Sequence, residues 1–241
     1  MKINKVLDWY YRSYYAAANN REEGRSPANA VKAALGTGSS YMRAKAALFS
    51  LFSGRFYWPN THPTGVDKPT AEFLYSLVRM HNPRTCLEIG TAKGNSAIAI
   101  GQALEDNGGG TLLTLDPERQ VIVPIAIRRA GLENRIRYWN YTSYEWIQKF
   151  GNAFNFDFVF IDGDHSYENV KRDWELVEQN ISGNAVVVFH DTVMFDGPKR
   201  VVAEIDGERF DRMTFVTENG AGISIVKSKV AEWGMRGIWE R

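Results

Sequence analysis

Glu88-Ile89-Gly90-Thr91-Ala92-Lys93-Gly94-Asn95-Ser96 is the stretch on which the fold turns. It follows the apolar run Thr85 to Ile89 and opens a helical pattern at Asn95, so it joins a buried strand to a helix through two glycines four residues apart. In an open α/β sheet the ligand crevice lies beyond the carboxyl ends of the strands, where helix amino termini also point. Glycines there let the backbone pass close under a ligand, and Glu88 is expected to set a negative charge at the mouth, repelling phosphate and attracting an ammonium group. The dinucleotide pattern G-x-G-x-x-G needs a glycine where this chain has Ala92, which disfavours a pyrophosphate ligand. The alternative is an ordinary tight strand-to-helix turn.

On either side of this turn the chain alternates between short β-rich runs and helical runs. Strands are predicted at Thr85 to Ile89, Thr111 to Leu115, Ile136 to Trp139, Phe156 to Ile161 and Ala185 to Phe189. Helical patterns occupy Asn95 to Leu104, Arg119 to Ala130, Ser143 to Phe150, Tyr167 to Asn180 and Pro198 to Ile205, and an earlier one capped by Asp67 or Thr70 runs to Met80. Near-continuous apolar strands such as Phe158-Val159-Phe160-Ile161 indicate burial on both faces, as in a parallel sheet sandwiched by helices. Phe215-Val216-Thr217, Asn219-Gly220 and Ile223 to Val226 read as a closing antiparallel hairpin. The fold class is therefore α/β, doubly wound, with a mostly parallel sheet.

Residues 1–66 read as a helical appendage with a lid-like loop, and residues 67–241 as the catalytic domain. The appendage places Val6, Leu7, Tyr10, Tyr11, Tyr14 and Tyr15 at helical spacing, and the loop carries Arg55, Phe56, Tyr57, Trp58 and His62. That aromatic set could close over an acceptor, or it could serve as core packing or as the contact of a homo-oligomer. A formal net charge of +1 gives no field to gather nucleic acid or an anionic membrane. No run of about 18 apolar residues suggests a membrane span. One cysteine, Cys86, in a buried strand, and no apolar leader suit a reducing cytoplasm.

The remaining strand ends carry the chemistry. Asp116, after the second strand, can accept hydrogen bonds from both hydroxyls of a ribose; it could equally cap a helix with Pro117 at the first helical position. Trp139-Asn140-Tyr141 offers an amide and aromatic faces where an adenine would lie. Asp162, Asp164 and His165 follow the fourth strand, and His190 and Asp191 follow the fifth, which a Rossmann order makes its neighbour. Carboxylates clustered there need a cation or protons to offset their repulsion. Oxygen ligands suit magnesium, and an imidazole ligand suits manganese, iron or zinc. The structural alternative makes Asp164 a helix cap and His165 a capping-region residue. Lys171, Arg172 and Asp173 read as a solvated helix face, and Trp174, Leu176 and Val177 as packing.

Glu88-Ile89-Gly90 with Gly94, then Asp116, resemble the cofactor motifs of class I S-adenosylmethionine-dependent methyltransferases, over about residues 67 to 228. Phe160-Ile161-Asp162-Gly163-Asp164-His165-Ser166-Tyr167 and Val188-Phe189-His190-Asp191-Thr192 resemble bacterial small-molecule O-methyltransferases of the macrolide sugar type. The resemblance implies a Rossmann-like seven-stranded sheet with a C-terminal antiparallel hairpin, and methylation of a hydroxyl on a sugar, glycoside or phenolic small molecule. It implies S-adenosylmethionine held by Glu88, Gly90, Thr91, Gly94, Ser96, Asp116, Asn140 and Asp162. It also implies a divalent metal, magnesium or manganese, on Asp162, His190 and Asp191, with His165 as the general base beside Asp162. His190 departs from the family pattern, which has an acid at that position. Two other readings are a nicotinamide-dependent oxidoreductase and a noncatalytic nucleoside-binding module.

Overall fold

The computed structural model describes residues 65–150 and 154–229. The appendage, the loop with Arg55 to His62 and the oligomer contact assigned to it lie outside the described residues. Thirteen elements follow in order: α1 (Lys68–His81), β1 (Thr85–Ile89), α2 (Asn95–Asp106), β2 (Thr111–Leu115), α3 (Ile122–Arg129), β3 (Ile136–Trp139), α4 (Ser143–Phe150), β4 (Phe156–Ile161), α5 (Tyr167–Glu178), β5 (Ile181–His190), α6 (Asp196–Glu204), β6 (Phe210–Phe215) and β7 (Ile223–Ser228). The strands form one seven-stranded sheet in the order β3-β2-β1-β4-β5-β7-β6. β1 to β5 pair in parallel, and β7 pairs antiparallel with both β5 and β6.

The double winding is legible strand by strand. Cys86, Leu112, Phe158, Phe160 and Val188 face the α1, α2 and α3 layer, where Leu74, Ile100 and Val123 meet them. Leu87, Ile89, Val159, Ile161 and Phe189 face the opposite layer, with Trp146 of α4, Trp174 of α5 and Val201 of α6. Burial on both faces is what makes the central strands apolar throughout. Among the described residues no helix is long and apolar enough to cross a membrane.

The expected elements are present, with differences at their ends. α1 starts as read: the Asp67 side chain accepts from Thr70 N at 2.9 Å, Pro69 sits in the first turn, and Asn82 closes the helix in the left-handed region. α3 begins at Ile122 rather than Arg119, because Asp116 accepts from Glu118 N at 2.9 Å and Tyr138 accepts from Gln120 N at 2.9 Å, holding that segment in a turn. The capping role considered for Asp116 is thereby corrected. The first hairpin strand ends at Phe215 rather than starting there.

Strand order reverses direction between β1 and β4, which is where an open α/β sheet forms its crevice. There the backbone after β1 runs against the backbone after β4. Asp162 N donates to Ile89 O at 2.8 Å, and Gly90 N donates to Leu115 O at 2.9 Å. A Cβ on Gly90 would overlap the Asp162 carbonyl, and Gly90 has φ +96°. Gly94 also has positive φ, but the nearest atom to a Cβ there is 3.5 Å away on Val123. Gly90→Ala is expected to cost about 3 kcal/mol in denaturant unfolding, since strain and overlap combine. Gly94→Ala is expected to cost about 1 kcal/mol from conformation alone. Equal losses would show that the β1–β4 contact is not what demands Gly90.

Candidate active site

Glu88 lies at β1 in register with Thr114 and Phe160, so its side chain enters the α1–α3 layer. It is 0% exposed. The expectation of a charge at the mouth of the turn is corrected, because this register position turns inward. One carboxylate oxygen accepts from the Thr114 hydroxyl, which also contacts the Thr91 hydroxyl. The other, Oε1, has no partner. Burial pushes the carboxyl up to about 7, against the lowering influence of the Ser96 and Thr114 hydroxyls. Ser96, in the first turn of α2, is buried beside it. Glu88, Thr91, Ser96 and Thr114 thus form one polar cluster under the glycine turn, with one acceptor left over.

Asp116 ties the neighbouring strand end to that turn. Its Oδ2 accepts from Ala92 N at 2.7 Å, and Ala92 itself has φ +43°. Asn140 lies behind it, donating through Nδ2 to the carbonyls of Asp116 and Glu118, both at 3.3 Å, and to the Tyr138 hydroxyl at 2.8 Å. The amide expected to meet an adenine is therefore employed in bracing the β2 loop.

The ends of β4 and β5 bring four titratable side chains together. His190 Nδ1 lies 3.0 Å from Asp162 Oδ1 and 3.4 Å from Asp191 Oδ2. His165 Nε2 lies 2.8 Å from Asp191 Oδ2 and is held against that carboxylate. Burial, which works to lower the His190 imidazole, is overcome by the Asp162 and Asp191 carboxylates, and the ring is pushed up to about 10. Burial likewise works to raise Asp191, but His165 and His190 hold it well below the usual carboxylate range. The Asp191 contact raises His165 despite partial burial, and burial raises Asp162 against the pull of His190. Asp191 has φ +59°, a left-handed conformation at the strand end.

Asp162, His165 and Asp191 each present a donor atom, all within 4.8 Å of one another. One nitrogen and two carboxylate oxygens suit a divalent ion, manganese better than magnesium, with neutral His165 offering the Nε2 lone pair. The residues present therefore fit such an ion. His190, expected as a ligand, does not join this set: its Nδ1 is engaged with Asp162, and the carboxylate it orients is what faces the others. Asp164 does not cap α5 either, since Ser166 occupies that position and Asp164 accepts from Ser166 N at 2.6 Å.

Asp173 was missed from the sequence. It is 7% exposed rather than solvated, accepts from the Ser143 hydroxyl at 2.5 Å, and burial pushes it up to about 6. The signal was its spacing, because Val170, Asp173, Trp174 and Val177 share one helical stripe, and all four are buried. The pair joins the start of α4 to the middle of α5.

Residues 87–192 match the family described as "Methyltransferase domain". The chain overlays an O-methyltransferase from Bacillus cereus in complex with SAH with a TM-score of 0.61 and 23% identity, covering 83% of this chain and 95% of that one. It overlays an O-methyltransferase from Streptomyces achromogenes, involved in tomaymycin synthesis and in complex with SAM, with a TM-score of 0.59 and 21% identity, over 68% and 82% of the two chains. Residues 87–192 are thus similar to a methyltransferase domain, and the chain shares the fold of these two solved O-methyltransferases. In sequence the chain is similar to a catechol O-methyltransferase from Niastella koreensis, 28% identical over 134 residues, which are 55% of this chain and 59% of the relative. Catechol O-methyltransferase B from Danio rerio is 34% identical over 110 residues, 44% of this chain and 40% of the relative. The matched stretch thus spans about half of the length of these curated relatives.

Glu88 makes stability depend on pH. Its folded value of about 7 exceeds the ordinary 4.5, so between those values the unfolded chain releases a proton that the folded chain keeps. Stability of the ligand-free protein should be fully present below pH ~4.5 and fall by roughly 3 kcal/mol as pH rises through 7. Glu88→Gln should flatten that slope and melt above the unsubstituted protein at pH 8. Parallel pH profiles for the two proteins would show that this carboxyl is not held neutral.

Proposed function

We propose that this protein transfers the methyl group of S-adenosylmethionine to a hydroxyl oxygen of a small molecule, with His165 receiving the hydroxyl proton. The observation that carries the proposal is contiguity: the glycine turn after β1 lies against Asp162, the first member of the acid and histidine cluster. A cofactor seated on the turn therefore has its reactive end beside that cluster.

The cofactor fits the residues on the β1 side. Glu88, buried beneath the turn, supports it from below through the Thr114 hydroxyl, which also contacts Thr91, and through Ser96. Gly90, Thr91, Gly94 and Ser96 contribute the turn and the first turn of α2. Asp116 retains acceptor capacity for ribose hydroxyls, because each of its oxygens serves one backbone N–H. Asn140 acts through the β2 loop that it braces.

In the reaction, a lone pair of the acceptor oxygen forms the new O–CH3 bond as the C–S bond of the sulfonium breaks. The electron pair of that bond stays on sulfur, which leaves as the neutral thioether of S-adenosylhomocysteine. His165 Nε2 takes the proton, and Asp191 at 2.8 Å stabilises the resulting imidazolium. Most of the acceleration comes from holding two bound molecules in line. A divalent ion, where bound by Asp162, His165 and Asp191, supplies Lewis-acid polarisation of the acceptor oxygen; His165 is then a ligand, since one nitrogen cannot do both jobs. His190, carrying its proton, offsets the charge of the two carboxylates whether or not an ion is present.

Val193 and Met194 follow Asp191 after the buried Thr192 and are exposed. Such an apolar wall favours a phenolic ring over a sugar, and the catechol specificity named for two of the relatives points the same way.

The test uses catechol as acceptor and calorimetry with S-adenosylhomocysteine. His165→Ala should lower turnover at least 100-fold while leaving S-adenosylhomocysteine affinity within about twofold. Glu88→Gln should weaken that affinity at least tenfold, about 1.4 kcal/mol. Full turnover in His165→Ala would remove the base, and a protein that does not bind S-adenosylhomocysteine would remove the cofactor. Chelation followed by manganese add-back should restore any activity lost, while full activity in verified metal-free protein would take the ion out of the reaction.

A further inference from the structure

The His165 side chain sits in a loop, one residue before the N-cap of α5, and is over a third exposed. Its contact with Asp191 is made through one ring atom, Nε2, at 2.8 Å, and a single contact at the tip leaves the ring free to turn about that direction, so it does not alone fix the ring plane. The ring plane is set from another side. Phe195 stacks on the imidazole with centroids 4.2 Å apart and planes 7° from parallel.

Phe195 is itself fixed by the backbone around it. It occupies the N-cap position of α6, and its N–H donates to Asp191 O at 3.0 Å, closing a turn over residues 191–195. The loop between β6 and β7 holds that turn from outside: Thr192 N donates to Gly222 O at 3.3 Å, and Val193 N and Met194 N both donate to Ala221 O, at 2.9 and 3.1 Å. Gly222 has φ +82°, and a Cβ there would overlap Val193. On the far side of the stack, a Cβ on Gly197 would overlap the His165 carbonyl, so the first turn of α6 lies directly on the backbone that carries His165.

We propose that Phe195 is a positioning residue that fixes the His165 ring plane, and that the β6–β7 loop, through the 191–195 turn, fixes Phe195. The proposal rests on the reading of His165 as the proton acceptor. Phe195 is 38% exposed, so replacing it leaves the core intact, and the flat face of an aromatic ring is what a branched aliphatic side chain of similar bulk lacks.

The experiment compares Phe195→Leu, Phe195→Tyr and His165→Ala by ring-proton NMR and by steady-state kinetics with catechol. In the unsubstituted protein the His165 ring protons, assigned by their loss in His165→Ala, should lie upfield because of the Phe195 ring current. Phe195→Leu should move them downfield and lower kcat about tenfold, with the KM for catechol and the affinity for S-adenosylhomocysteine within twofold. Phe195→Tyr should recover most of both losses. Unchanged His165 signals in Phe195→Leu would overturn the proposal, as would a raised catechol KM with kcat intact, which would make Phe195 an acceptor-binding residue instead. If His165→Ala turns over fully, the proton-acceptor reading fails on its own, and the NMR comparison still decides whether Phe195 sets the ring.

Discussion

The close passage of the Gly90 backbone against the carbonyl of Asp162 is the constraint on which the site depends. It is a contact between two strand ends with no side chain between them, and only glycine permits it. Through it, the strand carrying Glu88 and the strand carrying Asp162 end side by side at the point where the sheet reverses its winding order. The glycine turn and the acid and histidine cluster then share a wall.

Two different electrostatic solutions sit within this arrangement. On the β1 side, a carboxyl is placed in a dry layer with one oxygen unpaired, so burial keeps its proton on. On the β4 and β5 side, the carboxylates are already compensated, because His190 lies between Asp162 and Asp191 and is held protonated by both. A histidine at that position, where an acid was expected from resemblance, does what a bound cation otherwise does for a pair of carboxylates. It also explains why the donor set that converges includes His165 rather than His190.

The sheet was legible because its central strands are apolar on both faces, and because glycine and acid pairs mark their ends. Five parallel strands and their helices could be read within a few residues. The shortfalls arose where a side chain redirects the backbone or where register, not residue type, decides direction. α3 starts late because Asp116 and Tyr138 hold the preceding residues in a turn. Glu88 is an acid at a strand end and was read as facing the mouth, yet its register beside Phe160 turns it inward. Asp173 was read by its charge when its place on the Val170, Trp174 and Val177 stripe was the better guide. The partnership of His165 with Phe195 joins residues thirty positions apart across two loops, and no periodicity within either loop reports it.

The order of the strands has a consequence for how the molecule is born. Among the described residues, β5 keeps one edge open until β7 arrives, because its neighbour on that side comes from residues 223–228 and no earlier described segment pairs there. During synthesis from the amino terminus, β1 and β2, whose ends carry the glycine turn and Asp116, can pair while the ribosome is still producing the rest. The segment that carries Asp191 and Phe195 acquires its backbone partners, Ala221 and Gly222, last. The glycine turn is therefore braced before the acid and histidine cluster is complete.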